Sequence, residues 1–322
     1  MRCLVTGVAG FVGSHLAERL LADGHEVCGI DAFIDYYPRA IKENNIADIR
    51  SWNRFTLIEG DLLLLNLDHL LEGIEVIFHQ AAQAGVRASW GREFQRYTDC
   101  NILATQRLLE AAVHTKTLLR FVFASSSSVY GNSNVLPVTE NVIPQPVSPY
   151  GVSKLAAEHL CTLYYRNFGV PTVSLRYFTV YGPRQRPDMA FNRFCNAIAR
   201  HQSIHIFGDG TQTRDFTYIA DIVEANILAA SSPNAAGEVM NIAGGSRVTM
   251  LEVVETLREI SGSEVDAVFE NKQRGDVDHT FADTHLAEQV LGYHPRVVLH
   301  EGLTKEFEYF KAVHQEIKNS VH

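Results

Sequence analysis

The sequence predicts an α/β fold, a doubly wound parallel sheet joined to a smaller, irregular α/β lobe. Three observations predict it. Short apolar, β-branched runs alternate with helix-period segments through the first half of the chain. A glycine trio separates the first strand from the first helix. After residue 177 the alternation gives way to short strands and loops, rich in Gly, Pro and Asp between Tyr181 and Gly210. At 322 residues, 46% of them hydrophobic, the chain can bury a sizeable core. The expected division is a first domain over 1–177, with 217–243 returning to it, and a lobe built from 178–216 and 244–322.

Each element has its own signal. "RCLVTG" is a buried strand, and "SHLAERLLADG" after it has the apolar spacing of a helix. "EVCGID", "RFTLIEGD", "VIFHQAA" and "RFVFASSSSVYG" are further strands that run into turns. "NILATQRLLEAAVHT" and "SPYGVSKLAAEHLCTLYYRNFG" are long helices, the second stopped by Gly169 ahead of Pro171. "TVSLRYF" closes the regular part.

Bulk properties exclude several roles. A net charge of −9 with no basic cluster argues against nucleic acid and against an anionic membrane surface. No apolar run approaches the roughly 18 residues that would span a bilayer. "MRCLVTGVAGFVG" has a basic residue and an apolar stretch, but its glycines and the amphipathic helix that follows are unlike a secretion signal. The five cysteines are scattered, without a C-x-x-C, as expected for reduced thiols in a cytoplasmic protein. The fourteen histidines show no ligand spacing, so no metal is expected.

"TGVAGFVG" places Gly7, Gly10 and Gly13 three residues apart between strand and helix, followed within the helix start by Phe11 and Val12. Glycine permits the tight turn and close backbone approach, and the helix N-terminus offers N–H groups to a pyrophosphate. Asp31 ends the second strand, where a carboxylate accepts from an adenosine ribose and repels a 2′-phosphate, so NAD is expected rather than NADP. Asp61 and Leu62 follow the third strand and Gln80, Ala81 and Ala82 the fourth, at the carboxyl edge where such ligands lie. Asp61 is equally well explained as a turn former.

"YGVSK" sets Tyr150 and Lys154 one helical turn apart on one face. A phenol with a reference pKa near 10 becomes a usable base when a neighbouring ammonium stabilises its anion. The upstream serines, Ser125 to Ser128, provide a hydroxyl to bind and relay the proton of an alcohol.

With these motifs the chain resembles the extended short-chain dehydrogenase/reductase family, specifically its nucleotide-sugar epimerases and dehydratases. "TGVAGFVG", "HQAA", "SSSSVYG", "YGVSK" and "IFGDGTQTRDFTYIADI" match in order over nearly the whole chain. The resemblance implies a Rossmann-type NAD domain with a nucleotide-sugar lobe. It also implies Ser126 as the catalytic hydroxyl, Tyr150 as the base, and Lys154 as the residue that lowers its pKa and holds the nicotinamide ribose. Tyr177 is placed at the cofactor, and Asn101 matches the family's structural asparagine near the active site. A simple helix cap explains Asn101 equally well. A homodimer through helices at about 92–114 and 150–168 is a further implication.

The reaction is narrowed by what is missing. Relatives that eliminate water carry an Asp-Glu pair before "VYG", and decarboxylating ones a glutamate, whereas this chain has Ser127 and Ser128. Return of hydride to the opposite face of a 4-keto sugar, which is 4-epimerisation, is then expected. "RYFTVYGPRQRPDMA" has Thr179 where UDP-galactose epimerases usually have asparagine, and resembles the string of UDP-glucuronic acid 4-epimerases. A short hydroxyl with a guanidinium suits a C6 carboxylate, so Thr179 and Arg186 are the candidates, with Arg184 assigned to shaping the loop. Arg87 is a candidate for the sugar or its phosphates. Arg214 and Arg274 are placed at the uridine diphosphate by resemblance, Arg274 being displaced by one because Gln273 stands where an arginine is usual. Asp215 and Asp276 are taken to order their loops. The alternatives are a UDP-glucose or UDP-N-acetylglucosamine 4-epimerase, a UDP-glucuronate decarboxylase, or a non-catalytic NAD-sensing protein.

Overall fold

Seven strands form one parallel sheet: β1 (Arg2–Thr6), β2 (Glu26–Asp31), β3 (Phe55–Glu59), β4 (Val76–His79), β5 (Arg120–Ser126), β6 (Thr172–Tyr177) and β7 (Val239–Ile242). The computed structural model describes residues 1–320. The spatial order is β7-β6-β5-β4-β1-β2-β3, and every neighbouring pair is parallel. The chain winds outward in one direction from β1 to β3 and in the other from β4 to β7, so the order reverses between β1 and β4. A crevice opens there, beyond the strands' carboxyl ends.

Both faces of the sheet are covered, which is why its strands read as nearly continuous apolar runs. On β5, Val122 faces one layer, with Leu16, Leu20 and Ile222 of the flanking helices, while Phe121 and Phe123 face the other, with Leu108, Leu109 and Cys161. The helices of seven or more residues are α1 (Phe11–Ala22), α2 (Arg39–Asn45), α3 (Ala104–His114), α4 (Pro149–Phe168), α5 (Ala190–Ala199), α6 (Ile219–Ser231), α7 (Met250–Ser261), α8 (His285–Leu291) and α9 (Leu299–Ser320). Sequence sets the limits of α4: Ser148 Oγ accepts from Gly151 N at 3.1 Å, Pro149 occupies the first turn, and Gly169 terminates it with φ +71°. The helix read from "NILATQRLLEAAVHT" becomes regular only at Ala104, after a π-helical turn over Thr98–Leu103.

The lobe is made of two-stranded pieces. Val180–Tyr181 pairs with Thr217–Tyr218, Thr213–Asp215 with Arg247–Thr249, and Ile204–Phe207 with Ala267–Glu270. Its core joins Phe191, Phe194 and Ile198 of α5 to Val253 and Leu257 of α7 and Leu303 and Phe307 of α9. We retain the division into a dinucleotide domain and a lobe as a proposal, redrawn at one place. Ala287 and Leu291 of α8, and Tyr293 after it, pack into the sheet's own core with Ile222 and Met240, so this segment of 244–322 belongs with the first domain.

Candidate active site

One cleft, about 900 Å³ in volume, runs along the carboxyl ends of the strands and under the lobe. At its dinucleotide end the chain turns at Gly7 with φ +68°, where a Cβ would lie 2.9 Å from the backbone of Ala81. Gly13, on the first turn of α1, packs so closely that a Cβ would lie 2.2 Å from the Gly7 carbonyl oxygen. No side chain caps α1 and no acid stands in its first turn, which leaves that end suited to an anion. Asp31 is fixed as an acceptor by Ala9 N at 3.1 Å and Phe33 N at 2.8 Å. These residues fit a dinucleotide: the cradle is too tight for side chains, and the carboxylate is held ready at the cleft wall.

Gly10, Phe11, Val12, Asp61, Leu62, Gln80, Ala81, Ala82 and Tyr177 line the same cleft. Gln80 Nε2 donates to Tyr177 Oη at 3.2 Å and to Asn226 Oδ1 at 3.0 Å. Asp61 also forms its turn, Oδ1 accepting from Leu63 N at 2.9 Å. Beside them, His79 of "HQAA" is buried between the hydroxyls of Thr6, at 2.7 Å, and Thr105, at 2.9 Å. Burial, and then the Lys154 charge, lower its pKa to about 3, so this imidazole stays neutral.

Asn101 does not reach the cleft, nor is it a cap. It is buried in the π-helical turn, where its Nδ2 donates to Gln83 O at 3.0 Å and to Ser153 Oγ at 2.9 Å, and its Oδ1 accepts from Gln83 N at 2.7 Å. It ties the loop after β4 to α4. Its expected place among the cofactor contacts is therefore corrected to one behind the wall.

Ser126, Ser127, Ser128, Tyr150 and Lys154 come together midway along the cleft. β5 ends at Ser126, whose Oγ accepts from Ser128 N at 3.2 Å and so shapes the short turn over Ser127–Val129. Burial raises the Tyr150 pKa, and the Ser126 hydroxyl, hydrogen-bonded to it, pulls the other way. Burial lowers Lys154 to about 8 against the opposing pull of Cys161 and Glu158. Behind this cluster Glu158, one turn past Lys154, accepts from Ser125 Oγ at 2.6 Å and from Arg176 Nη2 at 2.6 Å.

Thr179 and Arg186 line the cleft beyond Tyr150. Arg186 is paired with Asp188 at 2.9 Å; burial opposes its charge, yet the Asp188 carboxylate outweighs that and the pKa is raised. Arg184 turns away with φ +65° and pairs with Glu18 of α1 at 2.8 Å, next to His15, which donates from Nε2 to Pro183 O at 2.8 Å.

At the far end Arg87 and Arg214 line the cleft, but Arg274 is exposed and lies off its wall. Asp276 also departs from expectation: besides sitting in its loop it lines the cleft and pairs with Arg87 at 2.8 Å. The sequence reading missed Phe207, which carries the guanidinium of Arg87 at 4.0 Å and that of Arg193 at 5.2 Å from its ring centroid. It also missed Lys42, whose Nζ lies 3.6 Å from Asp31, and Tyr36. Two tyrosines and a lysine downstream of the strand-end acid were the available signal for the last pair. Among the described residues no group of His, Cys, Asp or Glu is arranged to hold a metal ion, and no helix is long and apolar enough to cross a membrane.

Comparison with known proteins agrees with this geometry. The model of the NAD dependent epimerase/dehydratase family matches residues 3–243. An uncharacterised UDP-glucose epimerase of Bacillus subtilis is 48% identical, with 98% of this chain and 99% of that protein covered. A UDP-glucuronate 4-epimerase of Thermodesulfobacterium geofontis is 36% identical over 96% of this chain and 95% of its own. A crystal structure of UDP-glucuronic acid 4-epimerase from Bacillus cereus, in complex with UDP-glucuronic acid and NAD, superposes with a TM-score of 0.94 at 46% identity, covering 97% of this chain and 100% of that one. With the glycine turn, the Ser-Tyr-Lys cluster and the two-part cleft in place, the chain belongs to the NAD-dependent epimerase/dehydratase family.

Proposed function

We infer that the protein is a UDP-sugar 4-epimerase whose substrate is UDP-glucuronic acid and whose product is UDP-galacturonic acid. The observation that carries this reading is the wall around Tyr150: serines at 126, 127 and 128, Thr179 and Arg186, with serines rather than acids at the positions just before "VYG". Such a wall donates hydrogen bonds to a carboxylate, and the carboxyl group it contains, Asp188, is taken up by Arg186 rather than free to expel water.

Tyr150 removes the proton of the sugar C4 hydroxyl, with Ser126 binding the same oxygen and relaying the proton. Lys154 stabilises the phenolate and holds the ribose next to the nicotinamide. The Gly7–Gly13 turn, Asp31, Gln80 and Tyr177 would hold NAD, which when bound would supply a hydride acceptor for C4 and return that hydride to the turned sugar. Thr179, Ser127, Ser128 and Arg186 hold the C6 carboxylate through that rotation. Arg87 and Arg214, joined by Arg193, bind the diphosphate. We also propose a homodimer through α4 and the segment leading into α3, and a cytoplasmic location.

The test is incubation of the NAD-loaded protein with UDP-glucuronate and NMR of the products. UDP-galacturonate is expected; carbon dioxide release without it would favour a decarboxylase. Similarity to the Bacillus subtilis UDP-glucose epimerase supports UDP-glucose as the second substrate to assay. Thr179→Val and Arg186→Ala are each expected to weaken UDP-glucuronate binding about tenfold, the scale of a lost charge-assisted contact. Unchanged binding in both would remove the carboxylate assignment.

A further inference from the structure

Arg186 is held by one edge only. Its Nε donates to Asp188 Oδ1 at 2.9 Å and its Nη2 to Asp188 Oδ2 at 2.9 Å. A guanidinium carries five N–H groups in a fixed plane, so this fork occupies two and leaves three, two on Nη1 and one on Nη2, along the far edge. Among the described residues no other hydrogen bond reaches that guanidinium. Asp188 is itself held from across the cleft, where Tyr36 Oη donates to its Oδ2 at 3.3 Å. Tyr36 lies in the loop that follows Asp31, the dinucleotide side. Its hydroxyl occupies the space beside Gly85, where a Cβ would lie 2.3 Å away and where φ is +102°. Tyr36, Arg186 and Asp188 all line the cleft with Tyr150.

We propose that Asp188 and Tyr36 are positioning residues: they grip the Nε edge of Arg186, present its Nη1 end to the C6 carboxylate, and thereby govern whether the 4-keto uronate keeps that carboxylate. The proposal rests on the uronate reading above. Once C4 is a ketone, carbon dioxide is lost if the C5–C6 bond stands perpendicular to the carbonyl plane. The C5–C6 electron pair then passes into the enolate of the C4 ketone, C6 leaves as CO₂, and a proton adds at C5. A guanidinium whose own plane is fixed fixes the plane of the carboxylate it binds, and with it that torsion. Attraction and orientation thus come from different parts of the triad. Removing the Asp188 charge leaves the site more positive, so affinity for a uronate does not fall, while the geometry is lost.

The test uses the full-length, NAD-loaded protein and its Asp188→Asn, Tyr36→Phe and Arg186→Ala variants. Binding of UDP-glucuronate and of UDP-glucose is measured by calorimetry, and the share of turnovers ending in UDP-4-keto-pentose by NMR. Asp188→Asn is expected to bind UDP-glucuronate at least as tightly as wild type, and UDP-glucose unchanged. Its decarboxylated share should rise about tenfold, the scale of a small misplacement of a reacting group. Tyr36→Phe should move the same share in the same direction by about threefold. If Asp188→Asn fails to fold, Tyr36→Phe decides the matter with the loss of one hydroxyl. An unchanged product share overturns the proposal and leaves Asp188 as a charge-compensating partner. Arg186→Ala separates this from the underlying reading: if it leaves UDP-glucuronate affinity unchanged, the uronate reading itself has failed.

Discussion

Lys154 is kept charged near neutral pH in a place that opposes charge. It is 3% exposed, its ammonium lies 4.7 Å from the centroid of the Phe123 ring, and burial holds its pKa down at about 8. A lysine whose folded-state pKa is depressed costs stability at pH below that value, because the unfolded chain then carries the proton at less expense. Lys154→Met is therefore expected to lower kcat by about 100-fold or more, the range for a general base deprived of its support. Its melting temperature at pH 7 should not fall; a scanning calorimeter and a rate assay together check the split. The Tyr-Lys pair was legible because both residues lie on one helix with a fixed spacing. Tyr36 and Asp188, by contrast, are 152 residues apart, and Arg87 and Asp276 are 189 apart. Such pairings are created by the closing of lobe on sheet, and no local periodicity records them.

Helix α1 serves two parts of the cleft at once. Its N-terminus abuts the Gly7 turn, and its flank holds the loop that carries Arg186, through the Arg184–Glu18 pair and the His15 bond to Pro183. Burial, then the charge of Arg184, lowers His15 to about 4, so it packs there as a neutral ring. Gly13→Ala would push a methyl group against the Gly7 carbonyl and displace the whole helix start. The expected result is at least a tenfold loss of NAD affinity, together with about 1–3 kcal/mol of stability as for other overpacked sites. Titration with NAD and urea unfolding would measure both. The glycine turn was read correctly from spacing alone, since backbone approach depends on missing side chains. The π-helical turn at Thr98–Leu103 was not, because an extra residue per turn leaves no mark in an apolar pattern.

For the whole molecule, order of elements was the most legible property: strand-helix alternation already implies a parallel sheet. The lobe was legible only as a departure from that pattern, since its three two-stranded pieces join segments far apart in the chain. One apolar face is left over. Val152 and Leu163 on α4, eleven residues or three turns apart, share a face and are 46% and 51% exposed, with Leu103, just ahead of α3, at 47%. We propose that this face meets its copy in a homodimer. Leu163→Lys should then convert a dimer to a monomer in light scattering at micromolar protein, and an unchanged mass would place any interface elsewhere.

The side chain of Asn101 behaves as a detached peptide group. It offers one donor and one acceptor to the backbone of a single residue, Gln83, as a neighbouring β-strand would. Aspartate has the same shape and none of the same complementarity: it would set an oxygen against the Gln83 carbonyl and add a charge where water does not reach. Deamidation at this one position would therefore age the enzyme from behind the wall of its own cleft, releasing the loop that carries Gln83 to Arg87 and so displacing Arg87 with no chemical change to any group that faces the cleft.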